Sequence, residues 1–110
     1  MNAMAEIQAG ICGFRTTVRA RSDDAQYVTF ELETDCDKIQ QLNARLQALG
    51  PLDAFQEINP ARGSRLLENV RESLPGCCAG CAVPVGLFKA MQVAAGLALP
   101  KDVHIAITQT

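Results

Sequence analysis

Two runs of strict alternation near the start of the chain constrain its fold more than any other feature. From Ile11 to Arg21 the residues Cys12, Phe14, Thr16, Val18 and Ala20 take the even positions, while Arg15, Thr17, Arg19 and Arg21 take the odd ones. From Tyr27 to Thr34 the pattern repeats, with Val28, Phe30 and Leu32 alternating against Thr29, Glu31 and Glu33. A period of two is that of a strand with one wet face. Ser22-Asp23-Asp24-Ala25 supplies a turn, so the two runs form a hairpin. Directly opposed residues share a face, and a short loop then places Arg15 opposite Glu31 or Glu33, and Cys12 opposite Thr34 or Cys36. Cys12 and Cys36 are expected as neighbours at the open end of the hairpin, on its core face.

After Cys36 the period lengthens. Ile39, Leu42, Leu46 and Leu49 form a helical stripe that Gly50-Pro51 ends, with Asp35 or Asp37 as its N-cap. A helical turn around Leu52, Phe55 and Ile58 leads to Asn59-Pro60, a cap followed by proline at the first helical position. The next stripe is Leu66, Leu67, Val70 and Leu74, ending at Pro75-Gly76. Pro84 starts a last helix with Leu87, Phe88, Met91, Ala94 and Ala95 inward, closed by Gly96. Pro100-Lys101-Asp102 then turns the chain into a strand, Val103 to Thr108, with Val103, Ile105 and Ile107 on one face. The order β-β-α-α-α-β is an α+β fold: a small antiparallel sheet, made of the N-terminal hairpin and the C-terminal strand, with about three helices on one face.

The chain has 110 residues, enough for one domain over 1–110 to bury a real core without metal or disulfides as a folding requirement. Met1-Asn2-Ala3-Met4 reads as an expression-derived extension, and residues 1–6 are expected to be disordered. A net charge of -2 with no run of like charges argues against a nucleic-acid or anionic-membrane surface. The weakly polar stretch from Cys77 to Pro100 is interrupted by Lys89, Pro84 and glycines, so no membrane span is expected. An odd count of five cysteines, with no secretion signal, suits a reducing cytoplasm, where thiols bind metal, carry out redox chemistry or fill the core.

Those cysteines are the chemistry-bearing constellation. Cys78-x-x-Cys81 is a spacing that lets two sulfurs reach one ion. Cys36 stands just before one helix and Cys81 just before Pro84, and helix N-termini favour thiolate. With Cys12 beside Cys36, the expected metal set is Cys12, Cys36, Cys78 and Cys81, holding a zinc ion or an iron–sulfur cluster. Cys77 is a possible substitute ligand or a free thiol. The competing readings are an exchanging Cys78/Cys81 thiol pair, and small hydrophobes packed in the core.

Other candidates are weaker. His104 is the only histidine and alternates with the apolar positions of the last strand, which exposes it. Asp35 and Asp37 suit capping, Arg62 and Arg65 suit a solvated helix start, and Gly10-x-x-Gly13 precedes a strand rather than the helix a phosphate loop needs.

Cys12-Gly13-Phe14, Thr34-Asp35-Cys36, Cys81-Ala82-Val83-Pro84 and the run from Ala94 to Val103 resemble a family of small uncharacterised bacterial and archaeal proteins, matched over nearly the whole chain. Members often carry proline where this chain has Ala82, and some carry histidine where it has Cys78. The resemblance implies no activity, but a cysteine–histidine exchange is what a metal ligand tolerates. The order of cysteine, hairpin, cysteine, helices and a CxxC-like segment opening a final helix is also similar to the TSCPD domain. That likeness implies metal bound through Cys12, Cys36, Cys78 and Cys81, although the characteristic Thr-Ser-Cys-Pro-Asp string is absent.

Three functions compete: a small metal- or cluster-binding protein, a thiol redox protein, and a non-catalytic module that forms a homodimer or docks another protein through an open sheet edge. No nucleophile–base–orienter set or nucleotide fingerprint is present, which disfavours an ordinary hydrolase or transferase.

Overall fold

The computed structural model describes residues 1–59, 61, 63–77 and 79–110. Strands β1 (Asn2–Gln8), β2 (Arg15–Arg21) and β3 (Tyr27–Thr34) form an antiparallel meander. Helix α1 (Asp37–Leu49) follows, then the two-residue strand β4 (Leu52–Asp53), the single turn α2 (Ala54–Glu57), α3 (Arg65–Ser73) and α4 (Val83–Ala94). The fold is α+β, with a four-stranded sheet in the order β1-β2-β3-β4.

The hairpin alternation places the core. Thr16, Val18 and Ala20 of β2 and Val28, Phe30 and Leu32 of β3 are buried on one face. Against them pack Ile39, Leu42 and Leu46 of α1, Leu66 and Val70 of α3, and Leu87, Ala90, Met91 and Ala94 of α4, all in one cluster. Helix α4 lies on β1 and β2, and α1 on β3 and α3. The approach of α4 to β1 is close enough that a Cβ on Gly86 would stand 2.5 Å from Cδ1 of Ile7.

Three expectations about the strands are corrected. Residues 2–6 are not disordered: they form most of β1, because Ala3, Ala5 and Ile7 alternate and can lie on α4. The C-terminal strand does not form. Residues 101–110 lack regular structure and are exposed, and the edge place assigned to them beside the hairpin is held by β1 instead. The hairpin register is also longer in the loop than expected, with Thr16 opposite Thr34 and Arg19 opposite Glu31. The physical reason lies in Asp24, whose carboxylate accepts from Gln26 N at 3.0 Å and Tyr27 N at 2.8 Å and holds a wider loop with Ala25 at φ 59°. Arg15 therefore faces Gln8 across the other ladder and pairs with Glu6.

The helix caps differ as well. The N-cap of α1 is Cys36, with no side-chain hydrogen bond, and Asp35 and Asp37 flank it in exposed positions. Helix α3 starts at Ser64, whose hydroxyl accepts from Leu67 N, rather than at Asn59-Pro60. Pro60 lies outside the described residues, as does Arg62.

One edge of the sheet is closed by side chains. Strand β3 pairs with β4 only at Tyr27 and Val28. Farther along, Gln47 donates to the carbonyl of Phe30, Asn43 accepts from Leu32 N at 2.9 Å, and Gln40 donates to the carbonyl of Thr34 at 2.9 Å. The spacing 40, 43, 47 is one face of a helix, and 30, 32, 34 is one side of a strand.

Candidate functional site

Cysteines gather at the end of the sheet where β1 turns into β2 and β3 leads into α1. Gly10 and Gly13 close a turn there, with Gly13 N donating to Gly10 O at 2.9 Å and Cys12 exposed at its tip. Both glycines have positive φ, 92° and 75°, which L side chains adopt at a cost. Gly10-x-x-Gly13 is thus the turn that presents Cys12. The pleat stops at Arg15, so Cys12 is outside the ladder and off the core face, contrary to the register expectation.

Cys36 is held more firmly. Its N–H donates to Oγ1 of Thr34 at 3.1 Å, and that oxygen also accepts from the buried Thr16 hydroxyl at 2.9 Å. As N-cap of α1, Cys36 lies half-buried against the rim of the core. Its own sulfur makes no capping bond, so it is free to take another partner.

The third segment is brought in by α1. Lys38 donates from Nζ to the carbonyl of Pro75 at 3.1 Å and to Sγ of Cys77 at 3.3 Å. The chain then curls back on itself, with Gly80 N and Cys81 N both donating to the carbonyl of Cys77, at 2.9 and 2.8 Å. This places Cys81 immediately before the N-cap of α4, Ala82. Because Gly86 rests on Ile7, the start of α4 sits at the same end of the sheet as the Cys12 turn.

Burial pushes the Cys81 thiol up, and negative charge on Cys12, Cys36 and Cys77 pushes it further the same way. The backbone N–H of Val83, at the N-terminus of α4, opposes this by hydrogen-bonding the sulfur. Cys12, Cys36, Cys77 and Cys81 are free thiols. Cys78 lies outside the described residues. Among the described residues, no three Cys, His, Asp or Glu side chains stand close enough to hold a metal ion as they are placed.

The arrangement has a definite chemical character. At Cys81 burial and the neighbouring thiols oppose the thiolate, while the N-terminus of α4 favours it. A cation shared by the sulfurs would remove that conflict, since a bound metal carries the largest local charge and takes thiolates as ligands. The donor set therefore suits a soft, thiolate-binding ion or cluster. His104 is exposed in the C-terminal segment, and Arg65 is exposed at the start of α3.

Sequence reasoning missed two devices. The Thr16–Thr34 bond had a faint signal in two threonines at core-face positions of facing strands. The reach of Lys38 to the 75–77 loop had none, because it depends on how α1 and α3 pack. Among the described residues, no helix is long and apolar enough to cross a membrane.

Neither the curated proteins nor the solved structures contain a match to this chain. The model of a family of unknown function (DUF6951) matches residues 3–107, from β1 through the exposed C-terminal segment, and the chain belongs to that family.

Proposed function

We propose that this protein binds a metal ion, zinc or an iron–sulfur cluster, through Cys12, Cys36, Cys81 and one thiol of the Cys77-Cys78 pair. The observation that carries the reading is the placement of cysteines from three separate segments at one end of the sheet: Cys12 on the β1–β2 turn, Cys36 at the N-cap of α1, and Cys77 and the half-buried Cys81 on the chain leading into α4. A turn tip, a helix N-cap and the lead-in to another helix have no packing reason to present cysteine together. Cys78 remains the expected ligand from the CxxC spacing, with Cys77 as its substitute. The likeness to the TSCPD domain and a reducing cytoplasmic setting belong to the same reading.

In this role Cys36 and Cys81, fixed by helix starts, would be the anchored donors, and Cys12 would contribute its sulfur from the β1–β2 turn. Zinc would require all four sulfurs at roughly 2.3 Å. The ion would supply charge neutralisation among thiolates and tie the β1–β2 turn to α1 and α4. The test is metal analysis of protein purified without added metal, once aerobically and once anaerobically. About one zinc per chain, or cluster absorption in the anaerobic sample, is expected, and Cys81→Ser should remove most of it. Less than about 0.2 metal per chain in both preparations overturns the reading.

A second reading, thiol–disulfide exchange by Cys78 and Cys81 with Cys77 as a resolving thiol, draws on the Lys38 contact to Cys77. It requires one rapidly alkylated thiol in the metal-free protein; uniformly slow alkylation removes it.

A further inference from the structure

The two edges of the sheet are treated differently. The β3 edge is closed by β4 and by Gln40, Asn43 and Gln47. Among the described residues, no strand or side chain pairs with the outer edge of β1. Its ladder with β2 runs without a bulge from Asn2 opposite Arg21 to Gln8 opposite Arg15, and its sequence NAMAEIQ has no proline or lysine. The sole charge there, Glu6, is paired with Arg15 on the neighbouring strand. These are the devices that keep edges from pairing, and β1 lacks them.

The direction of its free backbone groups can be read from the ladder. Met1 and Ser22 exchange both of their hydrogen bonds, and Ala9 N donates to Phe14 O in the same register. Hydrogen-bonded pairs alternate with non-bonded ones, so odd residues of β1 bond to β2. The N–H and C=O of Asn2, Met4, Glu6 and Gln8 therefore point away from the sheet. On the helix side, Ala3, Ala5 and Ile7 are only half-buried, and Val93 of α4, two turns beyond Gly86 on the same side, is half-buried too.

The same chain carries an unpaired segment with the pattern of a strand. Val103, Ile105 and Ile107 alternate with His104, Ala106 and Thr108, yet they are 52%, 68% and 89% exposed. Single exposed apolar residues are ordinary, but three in period-two register, β-branched and without a strand partner among the described residues, need cover.

We infer that the β1 edge is the docking site for the Val103–Thr108 segment of a second copy of this chain, in a reciprocal strand-exchanged dimer. The backbone of Asn2, Met4, Glu6 and Gln8 pairs with the incoming segment, and Val103, Ile105 and Ile107 fall beside Ala3, Ala5 and Ile7, under the flank of α4. Each copy offers one edge and one segment, and reciprocal exchange closes both in a two-fold pair. It does not depend on metal binding.

The test is sedimentation equilibrium of the full chain at about 100 μM, where a dimer linked to concentration is populated. Twice the 11.8 kDa chain mass is expected. Met4→Pro deletes an outward N–H and leaves the β2 ladder intact, so it should weaken the dimer at least about tenfold with an unchanged far-ultraviolet spectrum. Met4→Ala keeps the N–H and should remain dimeric. Ile105→Lys, in a segment that the monomer does not pack, should also dissociate it and gives the answer by itself if Met4→Pro fails to fold. A monomeric wild type, or a dimer indifferent to Ile105→Lys, overturns the inference.

Discussion

Glu57 tests how the helical layer is fastened beneath the cysteine loop. It closes α2 and is 4% exposed. Its carboxylate accepts from the Ser64 hydroxyl, from Arg65 N at 3.2 Å and from Leu66 N at 3.1 Å. The last two are orphan donors of the first turn of α3, which a helix cannot satisfy internally. Glu57→Ala removes the acceptor and leaves at least the buried Leu66 N–H unpaired, costing about 1–3 kcal/mol. Losing a carboxylate at a helix N-terminus adds about 1 kcal/mol, and the void left by the side chain contributes about another 1 kcal/mol. The expected loss is about 3–5 kcal/mol, a large share of the roughly 5–15 kcal/mol that holds a domain together. Glu57→Gln retains one accepting oxygen but turns an amide donor toward other donors, so about 1–2 kcal/mol is expected. Urea unfolding followed by circular dichroism reads both, with the slope checked for constancy. Combined with Ser64→Ala, the double mutant should show at least about 0.5 kcal/mol of coupling, since the two side chains share one hydrogen bond. A cost below about 1 kcal/mol for Glu57→Ala, or equal costs for Ala and Gln, would refute the argument that this carboxylate caps α3.

Two further outcomes bear on the cysteine site. Thr34→Val keeps shape but strips the acceptor shared by Cys36 N–H and the Thr16 hydroxyl; a stability loss of about 1–2 kcal/mol and roughly tenfold weaker metal binding in chelator competition are expected, and unchanged affinity would show that Thr34 does not orient Cys36. In metal-free protein, burial first and then the charges of Cys12, Cys36 and Cys77 favour protonated Cys81. Its alkylation midpoint should therefore lie at higher pH in the folded than in the urea-unfolded chain. By linkage this thiol adds stability that is full below its unfolded pKa and is lost as pH rises through the folded value. Coincident midpoints would count against the crowded site.

Much of this was legible in the residues. The alternation of Thr16, Val18 and Ala20 against Val28, Phe30 and Leu32 named the buried face, and the stripes of Ile39, Leu42 and Leu46, of Leu66 and Val70, and of Leu87 and Met91 named the helices and their inner sides. Periodicity is a local property, written into each segment by the geometry of strand and helix. The helix starts that follow Cys36 and Cys81 were readable for the same reason.

What tertiary structure alone decided was which strand joins the hairpin, and in what register. Asn2–Gln8 and Val103–Thr108 both alternate, and pattern does not choose between two segments that could fill one edge. Burial of Ala3, Ala5 and Ile7 against α4, with Gly86 permitting the close approach, selects the former. Register likewise turned on the Asp24 loop, because a shift by two residues keeps every side chain on its face and so leaves the hydrophobic pattern indifferent. Lys38 meets Cys77 across a long stretch of sequence for a related reason: long-range contacts arise from packing of whole elements, and no single segment encodes them.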